Sequence, residues 1–73
     1  MDFPEFVKSV RKDLKLSQAG LAKALNVNFT TISRWENNHV APSKLAMNSL
    51  IDYCQNNFID IPKELQKHDN VGM

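Results

Sequence analysis

The chain has 73 residues, enough for one domain whose small core needs close packing or a partner to be stable. No apolar run approaches the ~18 residues of a membrane span, and the single cysteine, Cys54, excludes an intramolecular disulfide. The net charge of +1 says little, but its distribution is uneven: from Lys8 to Lys44 there are seven basic and two acidic residues, a net +5, and each flank carries −2. A basic centre of this kind suits a polyanion, although a solvated basic face has the same composition.

Residues 2 to 14 read as the first helix. Asp2 and Glu5 stand at capping-box spacing, and Pro4 lies in the first turn, where proline is tolerated. Phe3, Phe6, Val7, Val10 and Leu14 form its apolar stripe, with Lys8, Arg11, Lys12 and Lys15 away from the centre of that stripe. Ser17 suits the N-cap of a second helix over about 18–25, whose Leu21, Ala22 and Leu25 share one face. Gly20 inside it weakens the helix by about 1 kcal/mol relative to Ala. Asn26-Val27-Asn28 breaks the pattern. Asn26 tolerates a left-handed backbone and can make the turn. Asn28 can then cap a third helix over about 29–37, with Ile32 and Trp35 inward and Asn38 closing it in a left-handed cap.

The outer face of this third helix follows from its period of about 100° per residue. Thr30, Ser33, Arg34 and Asn37 point outward, Asn28 is available at the start, and Phe29 and Thr31 lie on the flanks. Arginine can bind the acceptor edge of guanine with two hydrogen bonds, asparagine suits adenine, and hydroxyls suit bases or phosphates. Any surface helix is polar outside, so the face alone is ambiguous. The arrangement of helix, short turn and polar second helix is the one that reads DNA in many regulators.

Pro42 or Ser43 begins a fourth helix ending near residue 57. Leu45, Ala46, Met47, Leu50, Ile51, Tyr53, Cys54 and Phe58 give it a broad apolar face, with Cys54 a core filler. Asp60 to Leu65 can start one short further helix, and fraying is expected beyond Gln66. The expected organisation is a domain over 1–60 and a C-terminal extension, a short helix or disordered, over 61–73. An enzyme is not expected. His39, His68 and Cys54 have no metal-ligand spacing, and with Gly20 and Gly72 alone there is no phosphate-binding glycine loop. No catalytic group, metal or cofactor is therefore assigned.

Arg11, Leu16-Ser17-Gln18, Leu21-Ala22, Leu25, Val27-Asn28, Thr31 to Asn37 and Pro42 together resemble the phage repressor and Cro-type (XRE) helix-turn-helix family, over roughly residues 5 to 57. The departures are Asn26 and Asn38 where members often carry glycine, and Gly20 where many carry a glutamate that completes a capping box with the serine. The resemblance implies an all-α, lambda-repressor-like bundle of four or five helices that binds duplex DNA, with the third helix in the major groove. It implies a structural ion pair between Arg11 and Glu36, tying the first helix to the third. Asn28, Thr30 and Arg34 are the expected base contacts, with Phe29 and Ser33; Phe29 could equally be a flank packed on the second helix. The expected phosphate contacts are Ser17, Gln18, Thr31, Asn37, Asn38 and Lys44, with the amides at the start of the second helix also favouring an anion.

The expected role is transcriptional control in the cytoplasm, as a homodimer on a palindromic site, without membrane attachment. The alternative is a protein-interaction module of the same fold, such as an antitoxin-like subunit or a domain of a larger assembly. RNA binding is a weaker third reading, because no aromatic residues alternate with basic ones as in single-strand readers. The expected dimer contact is the C-terminal part of the fourth helix, where Met47, Leu50, Ile51, Tyr53, Cys54 and Phe58 lie close together, with the run Phe58-Ile59 and Ile61 after it. That run's other possible role is to fold back over the monomer's own core.

Overall fold

The computed structural model describes residues 2–37 and 41–66. Five helices follow one another: α1 (Phe3–Leu14), α2 (Gln18–Leu25), α3 (Phe29–Glu36), α4 (Lys44–Asn56) and the single turn α5 (Lys63–Gln66); no strand occurs among the described residues. The all-helical, lambda-repressor-like expectation holds.

Local chemistry sets the helix starts. Asp2 accepts from the Glu5 amide at 3.0 Å while the Glu5 carboxylate accepts from the Asp2 amide at 3.3 Å, a complete capping box. Ser17 and Ser43 cap α2 and α4 through the amides of Gly20 (2.9 Å) and Ala46 (3.1 Å). Asn28 occupies the N-cap position of α3 in extended conformation, but its side chain makes no capping bond and stays exposed.

Three helices stop in one way. Lys15, Asn26 and Phe58 adopt left-handed backbones (φ 56°, 59° and 61°). The amide of the next residue, Leu16, Val27 or Ile59, returns to the carbonyl of Arg11, Ala22 or Cys54 at 2.8, 2.9 and 2.9 Å. These are Schellman closures, and in each the returning residue is an apolar side chain packed against the core. α3 differs. It ends at Glu36, and Asn37 follows with φ −97° while donating its Nδ2 to the Ser33 carbonyl at 2.8 Å. The left-handed cap expected at Asn38 lies outside the described residues.

The core joins Phe6, Val7 and Val10 of α1, Leu21, Ala22 and Leu25 of α2, Ile32 and Trp35 of α3, and Leu50 and Cys54 of α4. Phe3 meets the Trp35 ring edge-on, with centroids 5.5 Å apart. α3 packs on both α1 and α2, and α4 closes against α2. Two expectations for α4 need correction. Leu45 is 77 % exposed and Phe58 is 96 % exposed, so neither belongs to the buried face. At 100° per residue, Leu45 and Met47 cannot both face inward, and Met47 is the buried one. Phe58 falls beyond the helix, where the left-handed turn aims it outward. Ile59, Ile61 and Leu65 do fold back onto the core.

Candidate nucleic-acid interface

α3 is two-sided. Ile32, Trp35 and Glu36 are buried, whereas Asn28, Thr30, Arg34 and Asn37 are exposed. Thr31 and Ser33 are half-buried on the flanks, and Phe29 is 52 % exposed, leaving about half of it available to a groove. Arg34 makes no ion pair or hydrogen bond among the described residues, so its five donors stay free. Asn37 and Ser33 are linked, because Asn37 Nδ2 also lies 3.4 Å from Ser33 Oγ. That link holds the last exposed turn of α3 and leaves the Asn37 side-chain carbonyl outward.

The inner side of α3 ends on a charge. Glu36, with a side chain 4 % exposed, pairs with Arg11, which is 25 % exposed. Arg11 donates Nε to Glu36 Oε2 at 2.5 Å and Nη2 to Oε1 at 2.9 Å, a two-pronged contact that fixes orientation as well as distance. Its Nη1 reaches the Leu16 carbonyl at 3.2 Å. One guanidinium thus holds the end of α3 and the link into α2. Burial pushes the Glu36 carboxyl up. The hydrogen bonds from Arg11 and Gln18, with the charges of Arg11 and Lys8, outweigh burial and bring it below its ordinary value. The Arg11 guanidinium is raised in turn, chiefly by its hydrogen bond to Glu36. The ion pair implied by the resemblance is present.

Gln18 has a partner that sequence reasoning missed. It opens α2, half-buried, and donates Nε2 to Glu36 Oε1 at 3.0 Å. Gln18 and Glu36 are eighteen positions apart on different helices, beyond the reach of any periodicity argument. One amide hydrogen and the carbonyl oxygen of Gln18 have no partner among the described residues. Ser17 is exposed beside it with its hydroxyl oxygen occupied by the Gly20 amide, and Leu21 N–H returns to the Ser17 carbonyl at 3.0 Å. Lys44 is exposed in the first turn of α4. Asn38 lies outside the described residues. No group of three or more metal-ligating side chains occurs among the described residues, and no helix there is long and apolar enough to cross a membrane.

A helix-turn-helix family model matches residues 7–58, from within α1 to the left-handed turn after α4. No curated protein and no solved structure matches the chain. The matched span contains the exposed face of α3, the Arg11–Glu36 tie and the turn at Asn26, and the chain belongs to the Cro/C1-type (XRE) family of helix-turn-helix DNA-binding domains that regulate transcription.

Proposed function

We propose that the protein binds duplex DNA sequence-specifically, as a cytoplasmic homodimer on a palindromic site. The observation that carries this reading is the two-sided α3, in which a buried inner face fixes a polar outer face bearing an exposed Arg34 that has no partner among the described residues. In this reading α3 enters the major groove. Arg34 reads guanine, Asn28 and Thr30 read adjacent base edges, and Phe29 and Ser33 add contacts to thymine methyls and to bases or phosphates. Ser17, Gln18, Thr31, Asn37, Asn38 and Lys44 hold the backbone. Two protomers would set their α3 helices about 34 Å apart, or a multiple, matching half-sites one or more helical turns apart.

Exposed Phe58 supports the homodimer. Its side chain is almost fully exposed, and it lines a cleft of about 520 Å³ together with Phe6, Leu14, Ile59 and Ile61. The same exposed ring is what favours the second reading, an interaction module in which another protein covers Phe58.

Selection of bound sequences from a random duplex pool, followed by salt titration on the winner, tests the proposal. A palindromic consensus is expected, with affinity falling as salt rises because lysines and arginines displace counterions. Arg34→Ala should relax preference at one position of each half-site at a cost of about 1–3 kcal/mol. A chain that enriches no sequence and binds no duplex even at low salt sinks this reading in favour of the interaction module.

A further inference from the structure

The cleft of about 520 Å³ beside the turn after α4 plays no part in the DNA reading, and no residue of α2 or α3 lines it. Its volume lies within the ~300–1,000 Å³ of sites that enclose a ligand. Buried Phe6 and half-buried Leu14 and Ile59 give it an apolar wall, and exposed Phe58 lines it too. The two charged residues of the lining are both carboxylates, Asp13 and Asp60, and both are exposed. Asn57, also in the lining, donates its Nδ2 to the Tyr53 carbonyl at 2.8 Å, so its side-chain oxygen is the atom it can offer an occupant. Apart from the Ser9 hydroxyl, the side-chain polar groups of the cleft are therefore acceptors set among apolar residues, and no cation lines it. α1 divides this surface from the basic one. Arg11 turns to Glu36, and Asp13 stands two residues on, about 200° round the helix.

We infer that this cleft is a docking site for a cationic apolar segment of a partner protein, which seats an apolar side chain against Phe6 and Ile59 and sets lysine or arginine against Asp13 and Asp60. Charge complementarity selects this occupant. The two carboxylates repel nucleic acid. A second copy that meets the cleft about a two-fold axis presents the same patch, so it adds its own Asp13 and Asp60 to the pair already there. Like charges so placed oppose the contact, whereas an ammonium or guanidinium supplies the donors that these acceptors require. The inference goes beyond the DNA reading and does not depend on it, because no residue of α3 lines the cleft. Where a second copy also uses Phe58, segment and second copy compete for that ring.

Panning a display library of random peptides on the full chain tests this. The enriched peptides should combine lysine or arginine with a bulky apolar residue. The strongest of them, synthesised and titrated into isotope-labelled protein, should move the amide signals of Ser9, Asp13, Asn57 and Asp60 and leave those of the outer face of α3 in place. Asp13→Asn together with Asp60→Asn should weaken that peptide about tenfold. Added salt should weaken it on the wild-type chain, because exposed charges are screened. Enriched peptides without cations, shifts on another face, or an affinity that neither the double substitution nor salt moves overturn the inference. So does a cleft whose signals shift with protein concentration alone and which no peptide reaches, for the occupant is then a second copy. A chain that binds such a peptide in the cleft but binds no duplex overturns the DNA reading and upholds this inference.

Discussion

Helices α2 and α4 end by the same closure, and the residue at the left-handed position is Asn26 in one and Phe58 in the other. Asparagine visits that conformation readily. For other L-residues it costs roughly 1–2 kcal/mol, because Cβ crowds the following carbonyl. Asn26 turns the chain between the two helices of the helix-turn-helix at little cost. Phe58 carries the strain and also leaves its ring 96 % exposed, so its own fold gains nothing from the side chain. The contrast extends to the regions around them. From α1 to α3 the one buried charge has three hydrogen bonds, from Arg11 twice and from Gln18. The end of α4 holds a cost with no return inside the molecule, and such residues concentrate where a surface is used.

The largest expected effect tests the self-sufficiency of the first region. Arg11→Ala leaves Glu36 buried with Gln18 alone, and chemical denaturation should show a loss of about 3 kcal/mol, the low end for a broken buried pair because Arg11 is itself a quarter exposed. Glu36→Ala should cost less, since water can reach the stranded guanidinium; equal losses would show that the tie behaves as a surface pair.

Acid should act on the same place. The folded Glu36 carboxyl lies below its ordinary 4.5, so its contribution is fully present above that pH and disappears as pH falls through the folded value. Wild type and Glu36→Gln should therefore converge in denaturation midpoint in that acid range and diverge above it. A difference that stays constant with pH would remove Glu36 as the titrating group.

The next effect tests the second region by exchange. Phe58→Asn should stabilise the monomer by about 1 kcal/mol and Asn26→Phe should destabilise it by a similar amount, read as opposite shifts in thermal midpoint. If Phe58 seats in a second copy, wild-type stability rises with protein concentration and Phe58→Asn loses that dependence. A destabilised Phe58→Asn at dilutions where wild type is monomeric would break the comparison.

The smallest effect concerns Gly20. Alanine there gains about 1 kcal/mol of helix propensity. Its Cβ would stand 3.3 Å from both Leu16 Cδ2 and the Ser17 Oγ that caps the helix. The net gain should stay under about 0.5 kcal/mol, and a larger one would show that the cap shifts freely.

What was legible in the sequence follows the range of each interaction. Ser17, Asn26 and the capping box of α1 act within three or four residues, and short-range chemistry placed them. Family resemblance, not periodicity, paired Arg11 with Glu36. The left-handed Lys15 and Phe58 were not legible because neither residue favours that backbone. It is imposed by Leu16 and Ile59 returning to the core just after them. Leu45 was misplaced because α4 carries more apolar residues than one face can hold, and a count of apolar residues does not say which are surplus. At the interface, residue type and helical phase separated the outer from the inner face of α3. The Gln18–Glu36 bond depends on how α2 and α3 cross, which no local pattern encodes.

Cys54 sits at the centre of the bundle, fully buried, with burial pushing its thiol from 9.0 up to about 11. At neutral pH that shift lowers the reactive thiolate about 100-fold, beyond the shielding that burial already gives. The chain therefore carries its own clock. A thiol reagent can modify Cys54 only when α4 opens, so the labelling rate counts openings of the core without any added probe. Bound duplex should slow that clock by the same factor by which it suppresses unfolding, and affinity could be read from chemistry at a site remote from α3.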